Sequence, residues 1–422
     1  MQPARIRTAW QGLLEGTRSR EIAGAGVVAL LCLLILGAAT AISAWPQEPV
    51  WDQAQLLKAS FAAPFHPSPP MGFTAQLCVI AIKVLAPGES ALNEAVRIFA
   101  MAFWAGASCF LALALLERRA SVVALLLVLF TSQFPFLWLS TELMVGGFLC
   151  LVLGAWMRGW HPAAVGSLLA LLGLCKPDLA LVAGVLAVCF GMERPTTRRP
   201  LALGLVLTGA LLVAPGLVFF GPGYLTDYGP GAGGRGFAAF GQHFAALVAP
   251  FQVGPAPDPW AQPGPYLAKA FPGARSLQDV VTAPGLPYLD HVALAISRGL
   301  RKVGWLFQWA WLAVPLLWFA RRHAGLSSDS RERVLLWSFV GCVPFVLLAY
   351  PHIRYFARYY PIFWLLLLVS LERLSRVEEA AWRRPAFVLA GLCLLLAFAV
   401  SVDRASIGLA LAPKLPMYWF PD

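Results

Sequence analysis

Charged residues are scarce in this sequence, and their scarcity narrows the class of protein it can encode. They make up 13% of the 422 residues, whereas hydrophobic residues make up 59%. Soluble globular domains carry roughly 25% charged residues, so this composition excludes an ordinary soluble chain of two or three domains. Because many apolar runs approach the roughly 20 residues that cross a bilayer as a helix, we predict an all-α polytopic membrane protein.

Cysteines outside apolar runs are scarce as well, and no internal repeat is visible. Each of these absences excludes a class of protein. Seven of the eight cysteines lie inside apolar runs and only Cys78 does not, which excludes a disulfide framework. The cysteines and histidines show no metal-ligand spacing, and the sequence requires no cofactor. No repeat of roughly 20–50 residues is visible, which disfavours a transporter built from two related halves.

About eleven apolar runs are read as membrane spans. The first, from Ala23 to Trp45, exceeds the roughly 7–15 apolar residues of a cleavable signal peptide, so we predict an uncleaved anchor. Residues 162–192 are read as two short spans, or as a re-entrant hairpin that leaves the topology unchanged. The predicted spans cover residues 22–45, 95–116, 121–139, 141–158, 162–175, 177–192, 200–220, 303–320, 333–350, 361–374 and 385–402.

The basic residues predict the orientation of these spans. The net charge is +11, and 18 of the 32 Lys and Arg residues fall in short segments that are cytoplasmic if the N-terminus is inside. Because Lys and Arg accumulate in cytoplasmic loops, we predict a cytoplasmic N-terminus and an extracytoplasmic C-terminus. This placement between apolar runs explains the basic charge by topology, without a nucleic-acid partner.

The chain 1–422 is read as a single membrane domain with two long outer segments. Segment 46–94 contains two apolar helices around a proline-rich break, and the second, at about Met71–Leu85, is expected to lie along the membrane interface. Segment 221–302 is read as a long Gly/Pro-rich loop. Its tail, Asp290–Lys302, has the amphipathic pattern of another interfacial helix.

One stretch of the second outer segment imitates a nucleotide-binding motif. Gly231-Ala-Gly-Gly-Arg-Gly236 matches GxGxxG, but no strand precedes it and no helix clearly follows. A dinucleotide site needs that strand and helix, so we predict a flexible loop instead.

Acidic residues follow the first span, at the predicted outer boundary of water and lipid. At Glu48 or Asp52 a carboxylate could accept a proton from an acceptor hydroxyl or hold a metal ion. The structural alternative is that Asp52 caps the next helix, with Gln55 completing a capping box. His66 opens a stretch with three prolines in four residues, which on its own reads as a stiff connector.

Four further charged positions lie at predicted outer ends of spans. Arg97 begins the second span and can extend its guanidinium to the lipid headgroups. Glu142 lies on the same side as Asp52, so the two carboxylates could face one cavity. Lys176 and Asp178 flank a proline within an apolar stretch, where ionisable groups are costly and indicate function unless they mark a surface turn.

An aromatic and basic stretch precedes the predicted span 361–374. Arg354 and Arg358 are four residues apart and would share a helix face, at an outer surface where arginine pairs are unusual. Paired guanidinium groups suit a phosphate, and Tyr355 and Tyr359 lie beside them in sequence. The alternative is that this stretch only anchors the span at the interface.

Taken in order, these residues resemble the motifs of the GT-C glycosyltransferases, membrane enzymes that use polyprenyl-phosphate sugars. The likeness is to the dolichyl-phosphate-mannose mannosyltransferases and aminoarabinose transferases, and it covers about residues 22–375. Many members have two adjacent acids in the first outer loop, whereas three residues separate the acids here. The matching positions are Glu48 and Asp52, His66-Pro67, Ala95-Val96-Arg97, Lys176-Pro177, and Arg354-Tyr355 through Pro361.

The resemblance implies an inverting sugar transfer to a hydroxyl of a lipid, polysaccharide or protein, at the periplasmic face of a bacterial inner membrane. It implies Asp52, or else Glu48, as the general base. It implies Arg354, Arg358 and Lys176 as ligands of the leaving polyprenyl phosphate. It admits, without requiring, a divalent Mg²⁺ or Mn²⁺ on Asp52 and Glu142. The residues implied to line the substrate cavity are His66, Arg97, Glu142, Asp178, Tyr355 and Tyr359.

Two other functions fit a chain of this kind. An O-antigen polymerase or ligase also has about a dozen spans and a large outer loop, but it would not require Asp52 or the element at His66. A lipid or polysaccharide transporter or flippase would carry charge at mid-membrane in several helices, whereas most predicted spans here lack an ionisable residue. Substitution of Asp52 separates the first alternative, and a translocation assay separates the second.

Overall fold

The part of the chain that the computed structural model describes is helical, with turns and short connections between the helices. The described residues are 72–114, 140–176, 179–220, 235–251, 257–259, 261–285, 287–307, 310–323, 329–349, 359–375, and Val388, Leu389, Leu392, Cys393 and Leu396. Thirteen α-helices and two short 3-10 turns form within these ranges, without a strand. The all-α prediction is therefore confirmed for the described part of the chain.

Most of these helices form where the apolar runs predicted them. The exceptions are α7 to α9, in the segment read as a loop. In chain order the helices are α1 (Phe73–Leu85), α2 (Glu89–Leu113), α3 (Ser140–Met157), α4 (Pro162–Gly173), α5 (Leu179–Glu193), α6 (Arg198–Phe220), α7 (Arg235–Val248), α8 (Gly264–Ala270), α9 (Leu277–Val281), α10 (Pro287–Phe307), α11 (Ala310–His323), α12 (Ser330–Ala349) and α13 (Tyr360–Ser375).

One helix among the described residues is long and apolar enough to cross a membrane. It combines a 3-10 turn with α6 over Pro195–Val218, and 17% of its most apolar stretch is buried. The exposed part is apolar, since Leu211 and Val218 each leave about three-quarters of their surface uncovered. Five further apolar helices are shorter than this one, so the number of spans stays a prediction: Phe73–Leu85, Glu142–Met157, Pro162–Gly173, Leu179–Glu193 and Pro361–Ser370.

Helices α2 and α3 pack side by side and run in the same direction. Gly147 of α3 faces the ring of Phe103 and the backbone of Trp104, and Gly154 faces the ring of Phe110 in the same way. Both helices advance together along this contact, so their first turns lie at the same end of the bundle. This is the relation predicted from their order as two spans entering from the same side.

Helices α5, α12 and α13 alternate in direction. Ser330 at the start of α12 donates a hydrogen bond to Glu193 at the end of α5. Glu332 in the first turn of α12 accepts one from Ser370 near the end of α13. Each neighbouring pair is therefore antiparallel, which places the start of α13 at the end of the bundle opposite Glu193.

Because the helices alternate in direction, the bundle has two distinct ends, and the two ends differ in charge. We call one the Lys176 end; it contains the first turns of α2 and α3, the end of α4 and the start of α13. The other, the arginine-rich end, contains the ends of α3, α5 and α13 and the starts of α4, α6 and α12. Its basic residues in the described ranges include Arg158, Arg194, Arg198, Arg199, Arg331, Arg333 and Arg373.

Helices α4 and α6 also run parallel, and glycines allow their backbones to approach closely. A Cβ atom at Gly166 would lie 2.1 Å from the carbonyl oxygen of Leu201, and one at Gly204 would lie 2.0 Å from that of Ala163. The hydroxyl of Thr208 donates to the hydroxyl of Ser167 across the same contact, at 2.9 Å. Small residues at such contacts are typical of helices that pack within membranes.

The segment 221–302, read from sequence as a Gly/Pro-rich loop, contains a second hydrophobic core. Phe240, Phe244, Tyr266 and Phe271 pack together with Val280 in helices α7 to α9 and their connections. We call this the aromatic unit. The sequence analysis did not predict these helices, because it weighed the glycines and prolines and missed the helical spacing of the phenylalanines between them.

Two finer predictions in this region meet different outcomes. Arg235 and Gly236, predicted to belong to a flexible loop, begin α7, while residues 231–234 lie outside the described ranges. The amphipathic tail Asp290–Lys302 is confirmed as helix and forms part of α10. The predicted span 303–320 overlaps the end of α10 and most of α11, and its start stays a prediction.

The start of α9 is expected to loosen in acid, because an ionised carboxylate caps it. Asp279 accepts hydrogen bonds from the backbone N–H groups of Arg275 and Ser276, both at 2.9 Å, and its own N–H donates to the Ser276 hydroxyl. These bonds, the first of them above all, lower the pKa of Asp279 below its ordinary value. A lowered pKa stabilises the folded state above the unfolded pKa, near 4, and this stabilisation disappears as the pH falls through the folded pKa.

Hydrogen exchange of residues 275–282 measures this effect. We expect protection of these amides to fall below about pH 4 in the wild type, and to be low and nearly independent of pH in Asp279→Asn. Asp258→Asn, which removes an exposed acid outside α9, serves as the control and should keep the wild-type profile. Protection in Asp279→Asn equal to that of the wild type at pH 7 would contradict the capping role.

Candidate functional site

The N-terminus of α1 is docked on the turn that ends α4. The backbone N–H of Gly72 donates to the carbonyl of Cys175 at 2.9 Å, and the N–H of Thr74 donates to that of Leu174 at 3.1 Å. First-turn N–H groups and last-turn carbonyls have no partners within their own helices, so the two helix ends satisfy each other. A Cβ at Gly72 would lie 2.1 Å from the Leu174 oxygen, so this approach requires glycine.

The next residue of that turn forms a buried ion pair. The ammonium Nζ of Lys176 donates to Oε1 of Glu142, in the first turn of α3, over 2.7 Å. The two side chains are only 2% and 3% exposed. Lys176 therefore does not mark an exposed turn, which was the structural alternative from sequence. The structure brings together two of the predicted site residues, which are 34 positions apart in the chain.

Arg97 lies at the same end of the bundle. The register of the contacts between α2 and α3 places it beside the first turn of α3, where Glu142 also lies. Its side chain is 9% exposed, and its buried Nε and Nη1 atoms have no hydrogen-bond partner among the described residues. A buried guanidinium is costly unless an anion or acceptor meets it; Glu94, three residues earlier in α2, interacts with it electrostatically, and the position favours a further anionic group.

Tyr359 is also at the Lys176 end, because α12 and α13 are antiparallel. Its side chain is 2% exposed and belongs to the main hydrophobic core. Its carbonyl accepts from the N–H groups of Ile362 and Phe363 and so begins α13. The described structure therefore gives Tyr359 a packing role, while the prediction that it lines a substrate cavity stays a prediction.

The remaining predicted site residues are not among those the structure describes. They include both proposed bases, the late arginine pair, and one histidine, one aspartate and one tyrosine predicted to line the substrate cavity. They are Glu48, Asp52, His66, Asp178, Arg354, Tyr355 and Arg358. The roles that sequence analysis assigned to them, and any metal shared by Asp52 and Glu142, stay predictions. In the described ranges, no group of three His, Cys, Asp or Glu side chains could hold a metal ion.

The described part of the site combines one neutralised charge pair with one further buried cation. The Lys176 ammonium has three donors, and one of them bonds to the Glu142 carboxylate. An ammonium and a guanidinium close to one end of a bundle can bind a phosphate, since both form charge-assisted hydrogen bonds with its oxygens. The Glu142 carboxylate would then orient the ammonium rather than react itself.

Sequence analysis missed a polar network at the arginine-rich end. Oε2 of Glu193 accepts from the indole N–H of Trp156 at 2.8 Å, and its Oε1 accepts from the hydroxyl of Ser330 at 3.2 Å. Glu193 thus connects α3, α5 and α12. An acid at the end of an apolar helix, next to arginines in sequence, was the available signal.

A second carboxylate continues this network to α13. Glu332 is 2% exposed; it accepts from the hydroxyl of Ser370 at 3.0 Å, from Arg373, and from the backbone N–H of Asp329 at 3.1 Å. The last contact closes a capping arrangement of the kind that Asp or Ser followed three residues later by Glu predicts. The sequence 329–332 carried this signal.

Two polar residues of α1 were also overlooked. Thr74 and Gln76 are 3% and 2% exposed, although α1 is otherwise apolar and was predicted to lie at the membrane interface. They lie in the helix turn that docks on Leu174 and Cys175. Polar side chains buried at this point add to the polar character of the Lys176 end.

Comparison with known proteins identifies no relative of this chain. No protein family, no curated protein and no solved structure matches the chain.

Proposed function

We propose that the chain is a multi-span membrane protein whose arginine-rich end faces the cytoplasm and whose Lys176 end faces outward. Three observations support this placement. Helices alternate in direction as consecutive spans would, α6 presents an exposed apolar surface of membrane-crossing length, and most exposed arginines in the described ranges lie at one end. The accumulation of arginine at one end is typical of the cytoplasmic side.

On this frame, we propose that the protein transfers a sugar from a polyprenyl-phosphate donor to a hydroxyl acceptor at its outer face. The observation that carries the proposal is the buried pair of Lys176 and Glu142 at the Lys176 end. Arg97 is buried at about the same level of the bundle. A buried ammonium and a buried guanidinium at the membrane boundary suit the phosphate of a lipid donor. The donor's tail would lie between helices, and Arg354 and Arg358 would add further positive charge.

The proposed reaction is a single displacement with inversion. The carboxylate of Asp52 takes the proton of the acceptor hydroxyl while its oxygen attacks the anomeric carbon of the sugar. The bond from that carbon to the phosphate oxygen breaks, and polyprenyl phosphate leaves with an added negative charge. Lys176 and Arg97 would stabilise this charge as it forms, which is where preorganised donors lower a barrier most.

Asp52→Asn is expected to reduce sugar transfer roughly 10²–10⁴-fold while the protein still folds and inserts, because a positioned base contributes about this factor. Purified protein incubated with a set of polyprenyl-phosphate sugars, followed by mass spectrometry of the released lipid, measures transfer. Glu48→Gln tests whether the other acid is the base, and Asp258→Asn provides the control for an acid elsewhere. Undiminished transfer by both Asp52→Asn and Glu48→Gln would eliminate the base assignment.

The same assay separates the alternatives. Translocation of the lipid-linked sugar across vesicles without release of polyprenyl phosphate would favour a transporter or flippase. Formation of glycan polymer or ligated product, with no dependence on Asp52, would favour a polymerase or ligase. Either result would replace the proposed transfer reaction while leaving the membrane placement intact.

A further inference from the structure

Helix α10 carries an exposed apolar stripe that the proposed function does not use. Leu289, Ile296 and Leu300 are 56%, 40% and 63% exposed, and Ala293 between them is also exposed. Their spacing of four, three and four residues places them on one face of the helix. Exposed aliphatic side chains in such a row indicate contact with an apolar partner rather than with water.

The neighbouring face of α10 is already covered by the protein. His291 is 2% exposed, and its ring lies 5.3 Å from that of Phe240 and 5.5 Å from that of Phe244 in α7. Ala295, one turn later, packs with Leu247 of α7. The aromatic unit thus holds α10 from one side and leaves the stripe facing away from this contact.

The charge of α10 indicates which apolar partner fits. After Asp290 the helix contains no acidic residue. Its basic residues Arg298, Arg301 and Lys302 all lie within the five residues 298–302. The guanidinium of Arg298 lies 5.0 Å above the ring of the exposed Phe251. An amphipathic helix with aliphatic residues on one face and only basic charge towards its end is typical of helices lying in anionic lipid surfaces.

We infer that α10 lies in the surface of an anionic phospholipid leaflet, with its stripe among the acyl chains and with Arg301 and Lys302 at the headgroup phosphates. The aromatic unit is thereby held against the membrane beside the Lys176 end rather than free in solution. The inference rests on the proposed membrane placement of the bundle, but not on the transfer reaction.

Site-specific photocrosslinking to lipid tests this surface in the full-length protein. A benzophenone amino acid replaces Ile296 or Leu300, and the protein is reconstituted in vesicles of phosphatidylethanolamine with phosphatidylglycerol. Leu211 on the exposed face of α6 is the positive control, and the exposed Gln278 of the aromatic unit is the negative control. We expect lipid adducts at 296, 300 and 211, and little or none at 278.

The charge component is tested separately. In the Ile296 crosslinking protein, the added double substitution R301Q/K302Q should lower the ratio of phosphatidylglycerol to phosphatidylethanolamine adducts by roughly fivefold or more, from the attraction of each basic residue to an anionic surface. An unchanged ratio would overturn the headgroup part of the inference.

The remaining outcomes distinguish the inference from its premise. Adducts at 211 but not at 296 or 300 would overturn the inference and leave the membrane placement standing. Protein–protein adducts at 296 in place of lipid adducts would assign the stripe to a second copy of the chain and overturn it as well. Absence of lipid adducts at all positions, including 211, would overturn the membrane placement itself.

Discussion

Replacing Lys176 with methionine is expected to lower the free energy of unfolding by about 3–5 kcal/mol, because it removes the ammonium that contacts the buried Glu142 carboxylate. Both side chains are almost fully buried and in direct contact at 2.7 Å. A carboxylate in this position would have to lose its charge or admit water, and either change disturbs the contact between α3 and the end of α4. Glu142→Gln is expected to destabilise for the reciprocal reason.

The double substitution Lys176→Met with Glu142→Leu separates charge burial from packing. Replacing a whole buried pair by apolar residues is often neutral, so the double variant should recover most of the stability that each single substitution loses. Lys269→Met, at an exposed lysine of α8, is the control and should change stability by less than about 0.5 kcal/mol. Unfolding in detergent, followed by the fluorescence of the 16 tryptophans, provides the measurement.

The same double variant tests the proposed function. A folded protein without the ammonium at 176 should lose sugar transfer, since the stabilising cation for the leaving phosphate is gone. Single variants as stable as the wild type would contradict the buried pair. A stable double variant with full transfer activity would show that the pair serves structure alone.

Gly204→Ala is expected to destabilise the protein by about 1–3 kcal/mol or more, because the new methyl group meets a backbone that cannot move aside. The added Cβ would lie 2.0 Å from the carbonyl oxygen of Ala163. The two parallel helices α4 and α6 would have to separate, which breaks the hydrogen bond from Thr208 to Ser167 at 2.9 Å. Gly166→Ala meets the oxygen of Leu201 and should behave in the same way.

Gly209 in the same helix is the matched control. A Cβ there has no atom within 4 Å, so Gly209→Ala adds helix propensity without a clash. It should be neutral or stabilise by up to about 1 kcal/mol. Thermal unfolding of the three purified variants in detergent compares them directly. Equal midpoints for Gly204→Ala and Gly209→Ala would mean that α4 and α6 are not packed as closely as described.

The period and length of the apolar runs predicted most helices, because a helix in this chain is defined by local sequence. Lys176 was singled out as a charge that is costly in apolar surroundings, and Glu142 as an acid at the outer end of a span. Their pairing could not be predicted, since it depends on α3 and the end of α4 meeting at one level of the bundle. Charge cost is a local property, whereas the identity of the partner depends on tertiary packing.

The aromatic unit and the network around Glu193 and Glu332 were missed for different reasons. Glycine and proline suggested a loop. The phenylalanines of α7 form a core only because Phe271 and Tyr266 pack against them. Sequence analysis did not single out the two glutamates, which lie beside many arginines. Their role depends on which helix ends are neighbours, and linear spacing does not contain this information. The predicted base and late arginines remain predictions because they lie in ranges that the structure does not describe.

The two carboxylates at the arginine-rich end restrict how this sequence can diverge. Glu193 and Glu332 together accept hydrogen bonds from donors of three helices, α3, α12 and α13, so loss of either acid removes the acceptor of at least two of these donors. Substitutions at Trp156, Ser330 and Ser370 are then tolerated mainly in combination with changes at the acids. In relatives of this chain these positions should therefore vary together, even where the surrounding exposed apolar residues vary independently.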